Sequence, residues 1–410
     1  MGARFEAIAA RRRFGMKPGL DTIRGICAVL GNPQHGLRSI HVAGTNGKGA
    51  VCAILDAALA DSCRYTSPHL VSLNERFCVG GVPIDDVTLE QAAAKVEEAA
   101  LKTGADATFF EALTAAAFLV FAEKRRRWNI LECGLGGRLD ATNVCDPELC
   151  VITRIGLDHC QWLGDTVEMI AAEKAGIIKS GIPVVLGRNS RAVCDVISAR
   201  ARELDAPFIY APDVADESEI PADFPLAGSF NRENAVTAIA ALKTLQDSSS
   251  FFLLPSSLSK VVWPGRFQRV RNFVIDGAHN PPAAAALVES LRETLPEGSK
   301  IDMIAGFCGD KDAGSVLKTL APYVRRGFAV RIANPRSMSA EATAREMQFA
   351  GIEATPCASL EEALSAAENR TTLVCGSLFL AGEALVALGA YPWPDSRRDP
   401  AEMLIPGQTF

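Results

Sequence analysis

No apolar run in the chain is long enough to cross a bilayer as a helix, and no segment repeats another. A basic excess is also missing. The chain carries 42 Lys and Arg against 48 Asp and Glu, a net charge of −6, so it offers no basic field for nucleic acid. Its short basic runs, Arg11-Arg12-Arg13 and Arg125-Arg126-Arg127, read as solvated helix ends. There are 12 cysteines but no Cys-x-x-Cys pair and no metal-finger spacing. Cys27, Cys52, Cys133, Cys150 and Cys375 lie inside apolar runs and read as small core residues, which fits a reducing cytosol. The first residues carry Arg4, Glu6 and Arg11 without a long apolar core, so no signal peptide is expected. A cytoplasmic protein with no membrane and no nucleic-acid partner is the expectation.

What is present is an ordinary globular balance. Hydrophobic residues make up 48% and charged residues 22% of the 410, which suits about two or three domains with large cores. The chain is organised around the stretch Arg38-Ser-Ile-His-Val-Ala-Gly-Thr-Asn-Gly-Lys-Gly-Ala50. Ser39 to Ala43 has strand length. Gly44 to Gly49 is a glycine-rich turn with one lysine. Val51 to Ala60 places Val51, Ile54, Leu55 and Leu59 on one helical face. Glycines let backbone N–H groups close around phosphate oxygens, and a helix N-terminus adds partial positive charge. Lys48 would reach the outer phosphates. The match to the common phosphate-loop signature is incomplete: Val42 stands at its first glycine, and Gly49 stands where Ser or Thr follows the lysine. A tight turn with a solvated lysine is the competing reading of this stretch alone.

The rest of the chain alternates strand and helix. Leu20, Ile23, Ile26 and Leu30 predict a helix within an N-terminal helical segment, residues 1–36. Tyr65 to Phe77 reads as a long ordered loop, the kind that carries function, and Gly80 to Pro83 as a turn. Helices are expected over Leu89–Leu101 and Phe109–Lys124, and strands over Trp128–Cys133 and Leu149–Ile155. A helix over Thr166–Gly176 and a strand over Pro183–Leu186 follow, then a helix over Asn231–Leu245 and a polar break from Asp247 to Ser250. Trp263-Pro-Gly-Arg266 looks like the domain boundary. Beyond it, strands over Phe273–Asp276, Lys300–Gly306, Gly327–Ile332 and Thr371–Cys375 alternate with helices over Pro282–Leu295, Ser315–Leu320, Ala340–Phe349 and Leu378–Leu388. The tail from Tyr391 to Phe410 reads as irregular. Such alternation argues for an α/β fold with a mostly parallel sheet and ligands at the carboxyl ends of its strands.

Three residues invite chemistry. Glu132 ends an apolar strand beside the second glycine loop, Gly134 to Asn143. A carboxylate there is costly to bury unless paired or metal-bound, and with ATP nearby Mg²⁺ is the natural partner; a loop cap is the competing reading. His159 follows Asp158 at another strand end, where a satisfied loop histidine is commoner. Lys174 lies inside a helix, where a lysine normally points to water.

Longer stretches settle the direction. The chain resembles the folylpolyglutamate synthase and dihydrofolate synthase family of the Mur ligase superfamily. The resemblance rests on HVAGTNGKGA (41–50), YTSPHLVSLNERF (65–77), TFFEALTAAAF (108–118), LECGLGGRLDATNV (131–144), ITRIGLDHCQWLGDTVEMIAAEKAGIIK (152–179), FNRENAVTAIAAL (230–242), WPGRF (263–267), IDGAHNP (275–281), DKD (310–312) and GSLFLAGE (376–383). They occur in family order over most of the chain.

The resemblance implies a P-loop ATPase-like domain with a mostly parallel sheet, residues 1–262, and a smaller Rossmann-like α/β glutamate-ligase domain, residues 263–410. It implies that Gly44, Thr45, Asn46, Gly47, Lys48, Gly49 and Ala50 hold the ATP phosphates. Ser67 and Glu132 would bind one Mg²⁺, and His159 would hold a second near Glu132. Lys174 would carry a carbamate, which turns a cation into a metal-holding anion. Asn234 would contact adenine and Arg266 the phosphates, while Asp276 and His279 would face the cleft from the second domain. Lys48, Lys174, His159 and His279 are the catalytic candidates. Thr108, Phe110, Asp140 and Ala141 match positions lining the pterin or folate pocket. Departures are Ala50 for a usual serine, a short Asp61–Arg64 segment, Gly228–Asn231 without the usual histidine and glutamine, and Pro282 for a common histidine.

The implied activity is ATP-dependent addition of L-glutamate to dihydropteroate, to a folate, or to both, by a monomer. A Mur-type ligase acting on another carboxylate is the alternative. It is disfavoured because such enzymes carry Lys-Thr or Lys-Ser at the phosphate loop, where this chain has Lys48-Gly49, and lack the loop Thr66-Ser-Pro-His-Leu70.

Overall fold

Most strands of this chain are short and apolar on both faces, the pattern of strands covered by helices on both sides. The computed structural model describes residues 19–104, 106–248 and 255–393. The first sheet contains β1 (Ser39–Ala43), β2 (Ser62–Tyr65), β3 (Phe77–Val79), β4 (Val82–Pro83), β5 (Trp128–Glu132), β6 (Pro147–Ile152), β7 (Val184–Leu186) and β8 (Phe208–Tyr210). Their order is β4-β3-β2-β5-β1-β6-β7-β8. All neighbours are parallel except at β3 and β4, which fold back as an antiparallel edge. β1 is central, between β5 and β6.

Alternate residues of these strands enter opposite cores, as a period of two requires. Ile40, Val42, Trp128 and Ile130 meet the helices Lys48–Leu59 and Ser229–Ser248. On the other side, Leu131 joins the core built by Asp21–Val29, Asp86–Thr103 and Phe109–Lys124. Ala43 and Ile152 meet the helices Val167–Ala175 and Arg191–Glu203.

The second sheet contains β9 (Gln268–Val270), β10 (Phe273–Ile275), β11 (Ile301–Ala305), β12 (Val324–Ala329), β13 (Glu353–Pro356) and β14 (Thr372–Cys375), in the order β13-β12-β11-β14-β10-β9. Only β9 runs antiparallel. Its two faces are again split by alternation: Met303, Ala305 and Leu373 lie in one core, and Ile304, Val374 and Ile275 in the other. The expected α/β architecture of two sheets is therefore the observed one.

The boundaries differ in places, for physical reasons. The first phosphate-loop helix starts at Lys48 rather than Val51, because Gly47 with φ of 89° turns the chain directly into it. Tyr65 to Phe77 is a loop only in its middle, since its ends pair as Tyr65↔Phe77 across β2 and β3. The Gly80–Pro83 turn continues into β4, which pairs with β3. The strand expected over Leu149–Ile155 stops at Ile152, and that over Gly327–Ile332 is Val324–Ala329. The long helix runs through Asp247 and Ser248, where a break was expected. The helix Arg191–Glu203 and strands β8, β9 and β13 were not expected at all. The expected structure of residues 1–18 and of the tail beyond Trp393 lies outside the described residues.

One loop joins the two sheets. Leu70 and Val71, from the segment after β2, are buried in the second sheet's core with Phe273, Ile275 and Leu380.

Candidate active site

The carboxyl ends of β1, β5 and β6 open onto a cleft with a cavity volume of about 650 Å³. Topology puts them there: β1 feeds the phosphate loop, β5 the second glycine loop and β6 the Gly156–His159 corner. Thr45, Asn46, Gly47, Lys48, Gly49 and Ala50 line this cleft together with Ser67, Glu132, His159, Asn234 and Arg266. Asp276 and His279 line it from the second sheet, and Thr108, Phe110, Asp140 and Ala141 line it too. Gly44 and Lys174 line a small adjoining recess shared with Thr45, Lys48 and His159. The fold therefore gathers every residue singled out in the sequence around one site.

The phosphate loop is shaped by close approach. A Cβ on Gly44 would lie 1.8 Å from Thr153 Oγ1, and one on Gly47 2.2 Å from Asn234 Oδ1. Thr45 N donates to Arg154 O at 2.9 Å, which pins the loop to the end of β6. Lys48 Nζ donates to Thr45 O at 3.2 Å and stands 4.0 Å from Glu132 Oε1. Ser67 N donates to Glu132 Oε2 at 2.9 Å. Burial pushes the Glu132 carboxyl up, opposed by Lys48 and by the Ser67 N–H.

Lys174 does not point to solvent. It is 3% exposed, and its Nζ donates to Gly44 O at 2.8 Å. Its pKa falls to about 7, first through burial and then through Lys48. The second glycine loop backs onto its helix: a Cβ on Gly137 would lie 2.9 Å from Lys174 O. Phe110 packs over the same loop, 2.6 Å from where a Cβ of Gly134 would be.

Several acidic residues here have structural duties too. Asp140 accepts from Leu135 N at 2.9 Å and from Thr142 N at 3.0 Å, capping the turn Ala141–Val144. Thr108 caps Phe109–Lys124 in a reciprocal pair with Glu111. Asp276 accepts from Phe267 N and Ala278 N, both at 2.8 Å. His279 Nδ1 lies 2.8 Å from Gly277 O, so that nitrogen donates and Nε2 is left unprotonated in the neutral ring. Burial, then Lys311, lowers its pKa to about 4. His159 is likewise lowered by burial, against the pull of Asp158.

The donor set fits a divalent ion that keeps other ligands. Among the described residues no cluster of three or more His, Cys, Asp and Glu could enclose a metal. Magnesium is instead commonly held by one or two carboxylates together with water and substrate phosphates. A buried carboxylate beside a phosphate loop, with a serine hydroxyl and an imidazole on the same cleft, is such a set.

Sequence reasoning missed two features. Asn280 Nδ2 donates to Asp158 Oδ2 at 2.8 Å across the cleft. Lys311 and Arg336, from the second sheet's loops, also line it; DKD (310–312) was the only signal for the former.

Comparison with known proteins agrees with this geometry. Residues 265–378 match the family model of the Mur ligase, glutamate ligase domain. The chain is 36% identical over 348 residues to the dihydrofolate synthase/folylpolyglutamate synthase of Bacillus subtilis, covering 76% of this chain and 81% of that one. Among solved structures, Escherichia coli FolC in complex with DHPP and ADP superposes with a TM-score of 0.82 at 29% identity, covering 95% of this chain and 97% of that one. The Yersinia pestis folylpolyglutamate synthase/dihydrofolate synthase complexed with AMPPNP and Mn ion gives 0.81 at 29% identity, covering 94% and 98%. The chain belongs to the dihydrofolate synthase/folylpolyglutamate synthase family.

Proposed function

We propose that this chain is an ATP-dependent ligase that joins L-glutamate to dihydropteroate, to a folate γ-carboxylate, or to both. The observation that carries this reading is the convergence of Lys48, Glu132, His159 and Lys174 at three strand ends, facing Arg266, Asp276 and His279 from the second sheet.

A carboxylate is a poor acyl donor because its oxygen is a bad leaving group. Transfer of the ATP γ-phosphoryl group to it gives an acyl phosphate. The glutamate amine attacks the carbonyl carbon, the C–O bond to phosphate breaks, and phosphate leaves. The amine must lose a proton, and the unprotonated Nε2 of His279 could take it. Gly44 to Ala50 cradle the phosphates, Lys48 and Arg266 neutralise their charge, and Asn234 meets adenine. Thr108, Phe110, Asp140 and Ala141 bound the pterin end. The two sheets exclude water, which matters because an acyl phosphate hydrolyses readily.

Ser67 and Glu132 would hold one Mg²⁺, and His159 with Lys174 a second. Bound metal supplies positive charge to the transferring phosphoryl group. Lys174 would carry a carbamate. Its buried amine with a pKa of about 7 is the nucleophile that CO₂ addition needs, and burial, then Lys48, lower that pKa. A free ammonium would repel a divalent metal by about 8 kcal/mol at ~4 Å and an effective dielectric of ~20.

The domain division is put at 1–262 and 263–410, supported by the second sheet starting at Gln268. A monomer suffices, since one chain supplies every group named. ADP release measured with each acceptor, with and without glutamate, tests the reading. Release that requires both supports it; release indifferent to both contradicts it.

A further inference from the structure

The indole of Trp263 lies against Gly49. A Cβ on Gly49 would sit 2.2 Å from Trp263 Cζ2 and 2.8 Å from Cη2. Gly49 is not among the positive-φ glycines, so its backbone does not demand glycine; the indole does. This accounts for one of the two residues that set the loop apart from the common signature, the Gly49 that stands where Ser or Thr follows the lysine.

The indole also lies close to two guanidinium groups. Arg64 Cζ is 5.2 Å from the ring centroid and Arg266 Cζ 5.7 Å, both within cation–π range. Arg64 is a fixed support: it is 2% exposed, 3.4 Å from Asp56 Oδ2, and donates to Cys78 Sγ at 3.0 Å. Arg266 lines the cleft, its Nη1 donating to Gly265 O at 3.0 Å, and Asp276 and Glu132 both act on its charge. Trp263 further packs against the core shared by Val51, Leu55 and Leu258. It thereby ties the segment that delivers Arg266 to the helix that begins at Lys48.

We infer that Trp263 is a positioning residue for the nucleotide site. Seated over Gly49, it holds Arg266 at the phosphate end of the cleft and occupies the space that a side chain after the phosphate-loop lysine would fill. The inference rests on the reading of Arg266 as a phosphate contact.

The test is steady-state kinetics of ADP release, with KM for ATP and for glutamate resolved, on Trp263→Ala, Trp263→Phe, Arg266→Ala, Gly49→Ser and the doubles Trp263→Ala/Arg266→Ala and Trp263→Ala/Gly49→Ser. The expected result is a rise in KM for ATP of roughly tenfold in Trp263→Ala, with KM for glutamate little moved and most of the loss recovered in Trp263→Phe. The first double should be no worse than Arg266→Ala alone. Gly49→Ser should weaken ATP binding, and Trp263→Ala should restore part of it. Trp263→Leu carries the same cycle if Trp263→Ala does not fold. Full additivity of the Trp263 and Arg266 losses, or equal damage to both KM values, would overturn the inference alone. Unchanged kinetics in Arg266→Ala would overturn the reading of Arg266, and the inference with it.

Discussion

Asn280 and Asp158 meet across the cleft, Nδ2 to Oδ2 at 2.8 Å. Asn280 also caps the helix Pro281–Thr294, its Oδ1 accepting from Ala283 N at 2.9 Å. Asp158 in turn accepts from His159 N at 2.9 Å. One side chain of the second sheet therefore braces the corner that presents His159. Aspartate caps helices as well as asparagine does, so Asn280→Asp should keep the helix while setting two carboxylates against each other. We expect kcat to fall at least tenfold, roughly the effect of replacing one hydrogen bond by a like-charge contact, with Tm little changed. Wild-type turnover would show that the brace does not matter.

Gly47 adopts φ of 89°, and a Cβ there would meet Asn234 Oδ1 at 2.2 Å. Gly47→Ala should lose about 1–2 kcal/mol of stability from the left-handed backbone and displace Asn234. Thermal unfolding should register the first effect, and a raised KM for ATP the second. An unchanged KM would separate Asn234 from the adenine end of the site.

Lys174 tests the metal chemistry. The buried amine sits 2.8 Å from Gly44 O, inside the recess that His159 shares. Lys174→Ala should lose roughly a hundredfold or more in turnover, the scale of losing one preorganised charged group. Formate or acetate should recover part of it by standing in for a carbamate. Full activity in the alanine variant would remove Lys174 from the mechanism.

Legibility from sequence was uneven, and for physical reasons. Long amphipathic or apolar helices such as Phe109–Lys124 and Ala340–Phe349 were legible by their pattern, and the structure adds Thr108 and Ser339 as their N-caps. Strands β3 and β8, of three residues each, are too short to show alternation. β13 is mostly exposed and leaves little apolar signal. Glu132 and the phosphate loop could be read locally, since strand, glycine turn and helix are contiguous. Lys174 could not: its helix has no apolar stripe to say which face is buried, and only the family resemblance pointed inward. Asn280 and Asp158 are 122 residues apart, and no local pattern couples them. Trp263 over Gly49 is hidden in the same way, because the glycine's reason lies far along the chain.

Glu383 gives the fold a pH dependence away from the catalytic groups. It is 9% exposed and accepts from Ala333 N at 2.8 Å, and burial raises its pKa to about 7. Its folded pKa thus exceeds its unfolded one. The stability it contributes is full below the unfolded value and is lost as pH rises through about 7. Glu383→Gln keeps the acceptor oxygen and removes the charge. The variant should be more stable than wild type at pH ~8, by up to about 3 kcal/mol, and similar to it at pH ~5. Denaturant unfolding at both pH values checks this; a variant less stable at the higher pH would contradict it.

The central claim is that ATP activates the acceptor carboxylate before glutamate attacks it. Turnover with an acceptor whose carboxylate oxygens are labelled with ¹⁸O tests this most directly, because the acyl phosphate passes one carboxylate oxygen to the departing phosphate. The account predicts that mass spectrometry of the released phosphate finds one ¹⁸O per molecule, with the acceptor gaining one glutamyl residue. Unlabelled phosphate alongside the same product would contradict it.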